Sequence, residues 1–393
     1  MNKIVKLRGF YLFLGLAGGS FGSYLSVLLK HNGLTVGQIG MLMATGTLIA
    51  IFTQPVWGMI SDRYNQPRLV LILSVAVPAV LATFYLSQYF IVLLLAYTFS
   101  TIFSSTQAPI ADSYAISAAK QAGTTYGSIR LMLSFGAAVG AYFGGLYVAN
   151  IAVSTVWLPY LVLNLAAAMI AFTLPKHAEE NHVMSTSFSQ GVKQLLKSRI
   201  FLAFLAASFL VNQTMTAFGT YFVIAFQSAG GSMAYAGIAL FLASFTNVPS
   251  MFFASKVIRK LGRERTLLIA AVIYVFRWGI QVAFPYPGVM IGIQVLHGVS
   301  FGFFYIAAVE YVSSITSSEI QATGQSVFNM VFSGIAGIVG NLLNGFLLDQ
   351  GGAFAMNLSC AISSGLGALL LVYVARSAKA KMQLASPAGE LSA

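Results

Sequence analysis

The sequence predicts an all-α membrane protein of twelve transmembrane helices in two six-helix pseudo-repeats. Three observations carry that expectation: an apolar composition with few charges, twelve apolar runs of spanning length, and basic residues confined to alternate connections. Of the 393 residues, 58% are hydrophobic and only 8% charged, with a mean hydropathy of +0.82. Soluble chains carry about 25% charged residues, so a chain this poor in charge cannot keep a 41.9 kDa surface in water. A soluble enzyme is excluded on these grounds, and the solvent it fits is lipid.

A helix needs roughly 20 apolar residues to cross the hydrocarbon core. Runs of that length fall at 9–29, 38–60, 69–87, 90–115, 125–149 and 155–174, then at 200–226, 233–255, 265–284, 288–314, 322–348 and 355–375. The polar stretch from Pro175 to Arg199 separates the two sets. The expected organisation is therefore a six-helix bundle over 1–174, a linker over 175–199, a second bundle over 200–376 and a tail over 377–393. Met1 to Arg8 is short and basic, but the apolar run behind it is long, which reads as a retained first helix and not a cleaved signal.

Charge sets the orientation. Lys3, Lys6 and Arg8, then Arg63 and Arg68, Lys120, the group from Lys176 to Arg199, the group from Lys256 to Arg265, and Arg376, Lys379 and Lys381 all fall at the termini or in alternate connections. Only Lys30 falls on the other side. By the positive-inside bias, both termini and the linker belong in the cytoplasm of a multi-pass cell-membrane protein. The formal charge of +12 is explained by these loops, with no aromatic-basic interleaving that would point to nucleic acid. The single cysteine, Cys360, lies in an apolar run, and no metal cluster, phosphate-cradling loop or nucleophile beside a base is visible. No cofactor and no enzymatic activity are expected.

The halves echo each other at an offset of about 197 residues: Arg68-Leu69-Val70-Leu71-Ile72 opens the third run, Arg265-Thr266-Leu267-Leu268-Ile269 the ninth, and Gly127 and Gly324 begin the fifth and eleventh. Repeats of this kind place a substrate between the halves near the bilayer midplane. The second run ends in Gly58-Met59-Ile60-Ser61-Asp62-Arg63, followed by Arg68. This resembles the loop signature of the major facilitator superfamily, whose fold is the two-bundle plan above and in which the loop latches the halves during the conformational cycle. The resemblance assigns that role to Gly58, Asp62 and Arg63. The usual glycine after the Asp-Arg pair is replaced by Tyr64-Asn65-Gln66-Pro67.

Asp112 and Arg130 each lie nine residues from Gln121, the middle of the turn between the fourth and fifth runs. On antiparallel helices they reach the same depth, about 13 Å from the turn at 1.5 Å per residue, so they can pair. An ionisable group inside a spanning helix marks by default a substrate or ion pathway; a structural ion pair holding the hairpin is the alternative. Ala108-Pro109-Ile110-Ala111-Asp112-Ser113-Tyr114 and Tyr126-Gly127-Ser128-Ile129-Arg130-Leu131 are similar to the motifs of the lactose permease and phenylpropionate permease branch of the superfamily, whose acid and arginine line the substrate cavity.

In the second half, Arg277 is followed twenty residues later by Leu296-His297. This set resembles the proton-translocation network of the lactose permease and implies roles in substrate binding for Arg277 and His297, and in proton coupling for His297. The departures are specific. Ser300 stands where that network has a glutamate, Asn212, Met215 and Ser244 replace three further acids, and Ala137 replaces a sugar-stacking tryptophan, whereas Asn247 is retained. Among the acids only Asp112 lies well inside a helix, with Glu310 near the cytoplasmic end of the tenth run. Asp112, His297 and Glu310 are thus the proton-coupling candidates, Glu310 with an interfacial structural role as its alternative. Asn212, Gln213 and Thr214 either face the cavity or bond helix to helix. Gly136, Gly140 and Gly144, with Gly337 and Gly340, form small-residue faces for close packing.

The expectation is a monomeric secondary transporter, taking up a small polar organic solute together with a proton, or else sodium. Sugars or oligosaccharides come first, with aromatic acids and nucleosides as alternatives and a drug/proton exporter as the rival within transport. The candidate substrate-binding residues are Asp112, Arg130, Asn212, Gln213, Asn247, Arg277 and His297.

Overall fold

The computed structural model describes residues 3–64, 66–175, 188–317 and 319–385. Every regular element among them is helical, as a lipid solvent requires: inside hydrocarbon each N–H and C=O must be satisfied within its own segment. Ten long apolar helices run Lys3–His31 (α1), Val36–Ser61 (α2), Pro67–Leu86 (α3), Phe90–Gln121 (α4), Tyr126–Asn150 (α5), Val153–Phe172 (α6), Arg199–Ser228 (α7), Met233–Leu261 (α8), Arg263–Ala283 (α9) and Pro287–Ile315 (α10). An eleventh stretch, Thr323–Ser377, is 55 residues long, too long for one crossing. It breaks at Gly352, whose φ of 66° reverses the chain, so 323–351 is α11 and 353–377 is α12. Gly123, at φ 63°, makes the equivalent reversal between α4 and α5. The twelve expected spans are all present, with boundaries within a few residues.

Packing repeats between the halves. In the first, α1 lies against α5 and α6, α2 against α4, and α3 against α6; in the second, α7 and α9 lie against the α11–α12 pair, and α8 against α10. The halves meet along α5 with α8 and along α2 with α11, which the repeat exchanges for one another. The glycines of α5 make one of these contacts unusually close. A Cβ on Gly140 would lie 2.9 Å from Leu16 Cα, and one on Gly144 would lie 2.8 Å from Ser20 Cα, so α1 and α5 touch backbone to backbone.

The halves close at one end of the bundle. There Val36 N–H donates to Asp349 Oδ1 at 3.2 Å across the α2–α11 seam, and a Cβ on Gly145 would sit 2.8 Å from Gly237 Cα across the α5–α8 seam. The other end, which carries the basic residues, holds an open cavity of about 1020 Å³ between α5 and α8. A short helix, Phe188–Leu196, belongs to the expected linker; Gly191 packs on Thr323 at the start of α11. Residues 176–187 of that linker and 386–393 of the expected tail lie outside the described residues.

Several spanning helices depart from α geometry. α1 and α7 each contain a π-helical turn, at Gly18–Gly22 and Ala217–Tyr221, at repeat-related positions, and α11 contains another at Met330–Ile335. In addition, α4 is interrupted between Ser104 and Gln107.

Candidate functional site

The turn at Gly123 sets α4 and α5 antiparallel, and Asp112, eleven residues before it, meets Arg130, seven residues after it, as an ion pair. Arg130 Nη1 donates to Asp112 Oδ2 and also to Tyr126 Oη at 2.7 Å. Asp112 Oδ1 accepts from the Tyr11 hydroxyl of α1 at 2.5 Å. Three helices therefore share one carboxylate. The pair is not sealed: the Arg130 and Asp112 side chains are 39% and 24% exposed, and Arg130 lines the large cavity. Among the described residues Nη2 and Nε of Arg130 make no hydrogen bond, so the guanidinium keeps donors for a guest. Tyr11 was absent from the sequence reading. A tyrosine on an apolar helix gives no local signal, and its role depends on a contact 101 residues away.

Opposite Arg130, α8 contributes Ser244, Asn247, Phe252 and Phe253 to the cavity, and α10 contributes Phe301. Asn247 Oδ1 is buried there without a hydrogen-bond partner, an acceptor available to a guest donor.

Arg277 and His297 are placed differently from the expectation that they face the cavity. Arg277 is fully buried and His297 is 4% exposed, inside the second half. The guanidinium donates to Ser300 Oγ at 2.9 Å, Gln294 Oε1 at 2.9 Å and His297 Nδ1 at 3.1 Å. The rings of Phe218, Tyr274 and Trp278 surround it at 5.7–5.9 Å. Because a guanidinium only donates, His297 Nδ1 must be its unprotonated acceptor, with the ring proton on Nε2. His297 stacks on Phe301 at 6.1 Å, so it stands one layer behind the cavity wall. Ser300, where the resemblance led one to look for an acid, supplies a neutral hydrogen bond, and Gln294 is a partner that the sequence reading missed.

The polar cluster of α7 bonds helix to helix. Asn212 Nδ2 donates to Phe332 O at 2.5 Å, Gln213 O accepts from Asn344 Nδ2 at 3.1 Å, and Thr214 Oγ1 accepts from Trp278 Nε1 at 3.1 Å. With Gln213 only 2% exposed, these groups knit α7 to α9 and α11, the helix-to-helix arrangement of the two that the sequence left open. Glu310 accepts from Ser255 Oγ at 3.4 Å, bridging α10 to α8. In the loop motif, Gly58 has no neighbour within 4 Å of a built Cβ, so close helix approach is not what its missing side chain serves here. Arg63 is exposed over the Tyr64 ring at 6.0 Å, and the side chain of Asp62 lies outside the described residues. Arg68 donates to Phe172 O and Leu174 O at 3.3 Å, capping the end of α6.

The MFS_1 like family matches residues 4–358. An uncharacterized transporter of Bacillus subtilis (strain 168) is 28% identical over 386 residues, covering 97% of this chain and 96% of that protein. The maltose permease of Geobacillus stearothermophilus is 28% identical over 370 residues, 93% of each. Among solved structures, a mutant of the nucleoside transporter NupG is similar in fold, with a TM-score of 0.83 at 16% identity over 95% of this chain and 99% of that one. Family, fold and relatives agree with one another: the chain belongs to the MFS_1 like family and is a multi-pass membrane transporter of the major facilitator superfamily.

Proposed function

We propose that the chain is a monomeric, proton-coupled importer of a small polar organic solute, sugars or oligosaccharides first, with Asp112 and Arg130 as the recognition pair. Its units are the six-helix bundles 1–174 and 200–376, and the basic end of the bundle, with both termini, faces the cytoplasm. The observation that carries the reading is the partly exposed Arg130–Asp112 pair, whose arginine lines a cavity of about 1020 Å³. A purely structural pair gains nothing from solvent access, whereas a recognition pair requires it. The maltose permease relative supports a sugar. The apolar wall of Phe245, Phe252, Phe253 and Phe301 favours the second reading, an exporter of amphipathic compounds.

In the importer, a substrate hydroxyl or carboxylate that engages Arg130 competes with Asp112 for the guanidinium. The carboxylate released from its counter-ion takes up a proton, and re-pairing expels it. Uptake into proteoliposomes under an imposed pH gradient, run over sugars, nucleosides and phenyl-substituted acids, tests this directly. Asp112→Asn should abolish accumulation driven by the gradient while exchange of substrate across the membrane survives. Accumulation that persists in this variant removes Asp112 from coupling and turns attention to His297 and Glu310. Orientation is checked separately: reporter tags at Ser185 and at the C-terminus should both be cytoplasmic and one at Gly231 external, and opposite sides for the first two would overturn the six-plus-six arrangement.

A further inference from the structure

A second cavity, of about 490 Å³, lies in the first half beside α7 and contains none of the residues assigned above. Its size is within the range of small-molecule sites, about 300–1,000 Å³. It sits where the helices are irregular. The π-turn Gly18–Gly22 of α1 and that of α7 both line it, as does the interruption of α4 at Ser104 and Ser105. Irregular backbone at membrane depth persists where it borders a cavity, and π-turns concentrate at functional sites.

Its chemistry is uniform. Among the described residues no charged side chain lines it, and the polar wall consists of hydroxyls and one amide. Several of those hydroxyls have their protons committed to their own helix: Thr47 Oγ1 donates to Met43 O at 3.0 Å and Thr101 Oγ1 to Tyr97 O at 2.9 Å. The amide of Gln107 uses one of its two N–H donors on α3, Nε2 donating to Ser74 O at 2.5 Å. Thr47 and Thr101 thus offer lone pairs inward, while the unpartnered Ser100 hydroxyl can donate as well as accept. Ser26, only 2% exposed, lines the cavity with an Oγ that has no partner at all. A buried hydroxyl left unsatisfied costs free energy until a guest pairs with it. The tilted rings of Phe21, Tyr85 and Tyr160 provide an aromatic side: Phe21 lies 4.5 Å from Tyr160 and 5.5 Å from Tyr85 between centroids. Room is made by glycine, since a Cβ at Gly18, Gly22 or Gly219 would meet nothing within 4 Å.

The geometry points to a binding site for a neutral, hydroxyl-rich ring: acceptors for many O–H donors, aromatic faces for its C–H surface, and no cation to hold an anionic group. The ring can belong to a free sugar or to the ribose of a nucleoside, which share this chemistry. The inference deepens the transport reading and rests on it, but it assigns recognition of the neutral ring to a wall that includes neither Asp112 nor Arg130. A carboxylate- or phosphate-bearing solute would be held here without a counter-charge, since among the described residues no Lys or Arg lines the cavity.

The test is equilibrium binding to purified protein in detergent, which requires neither a gradient nor turnover, with maltose, uridine and 3-phenylpropionate as probes. Maltose or uridine should bind, and whichever does names the source of the ring. Gly22→Leu, or Gly219→Val on the opposite wall should the first not fold, fills the cavity from a position with open space and should weaken that binding at least about tenfold with an unchanged melting temperature. Ser26→Ala should weaken it about three- to tenfold, the loss of one neutral hydrogen bond. Binding of the neutral probes that ignores both glycine substitutions overturns the site and leaves the transport reading standing. Binding of 3-phenylpropionate alone overturns the substrate class. A folded protein that binds none of the three overturns the class assignment for the cavity and the solute classes of the transport reading together.

Discussion

Arg130→Lys should lower transport about 100-fold, equivalent to about 2.8 kcal/mol, with membrane expression unchanged. Lysine keeps the charge and can still neutralise Asp112, so the cost of an unpaired buried carboxylate does not arise. What is lost is the planar fork. Arg130 spends Nη1 on Asp112 and Tyr126 and retains its other donors for a guest, whereas an ammonium is a single point with three donors on a flexible stem. If the pair only held the α4–α5 hairpin, lysine would preserve most of the activity, or else activity and expression would fall together. Initial uptake rates normalised to protein in the membrane separate these outcomes.

Gly145→Val should all but abolish net transport by a different route. The closed end depends on contact between α5 and α8, where a Cβ on Gly145 would lie 2.7 Å from Tyr24 Oη, 2.8 Å from Met233 O and 2.8 Å from Gly237 Cα. Two of these neighbours are backbone atoms and cannot swing aside. The branched side chain props the seam open and shifts the population toward the conformer open at that end. A bias of about 5.5 kcal/mol carries a two-state equilibrium from 1:99 to 99:1, and overlaps of this kind cost up to several kcal/mol when nothing can move. Thiol labelling of a cysteine introduced at Gly37, where a Cβ would sit in ordinary contact, 3.6 Å from Asp349 Oδ2 across the other closing seam, should become faster from the side of the closed end in this variant. Unaltered labelling with normal uptake would show that the seam is not a gate.

These two sites differ in how far the sequence revealed them. The spans were legible because lipid imposes a single rule, a continuous apolar run, and the positions of Lys and Arg between the runs repeat it independently. The Asp112–Arg130 pair was legible because both residues are measured from one turn, so their meeting requires only the hairpin. Tyr11 and Gln294 were not legible: the first reaches Asp112 from a helix distant in sequence, and the second shares its helix with His297 and Ser300, where nothing distinguishes it from a packing glutamine. Nor do Asn212, Gln213 and Thr214 reveal from sequence whether they face a cavity or a neighbour. That depends on the rotation of α7, and the π-turn at Ala217–Tyr221 changes the helical phase just beyond them. The second cavity was invisible for the same reason, since it exists where helices leave regular geometry.

The neutral cage around Arg277 also bears on how the chain enters the membrane. A lone arginine at the centre of an inserting helix costs roughly 2.5–3.5 kcal/mol, and α9 holds no acid near Arg277 to offset it. The side-chain acceptors that do so, Gln294, His297 and Ser300, all belong to α10, which is made later. The charge is therefore exposed for as long as α9 is alone. During synthesis α9 has reason to wait at the insertion machinery until α10 emerges, so that the two enter the bilayer as one hairpin with the guanidinium already wrapped.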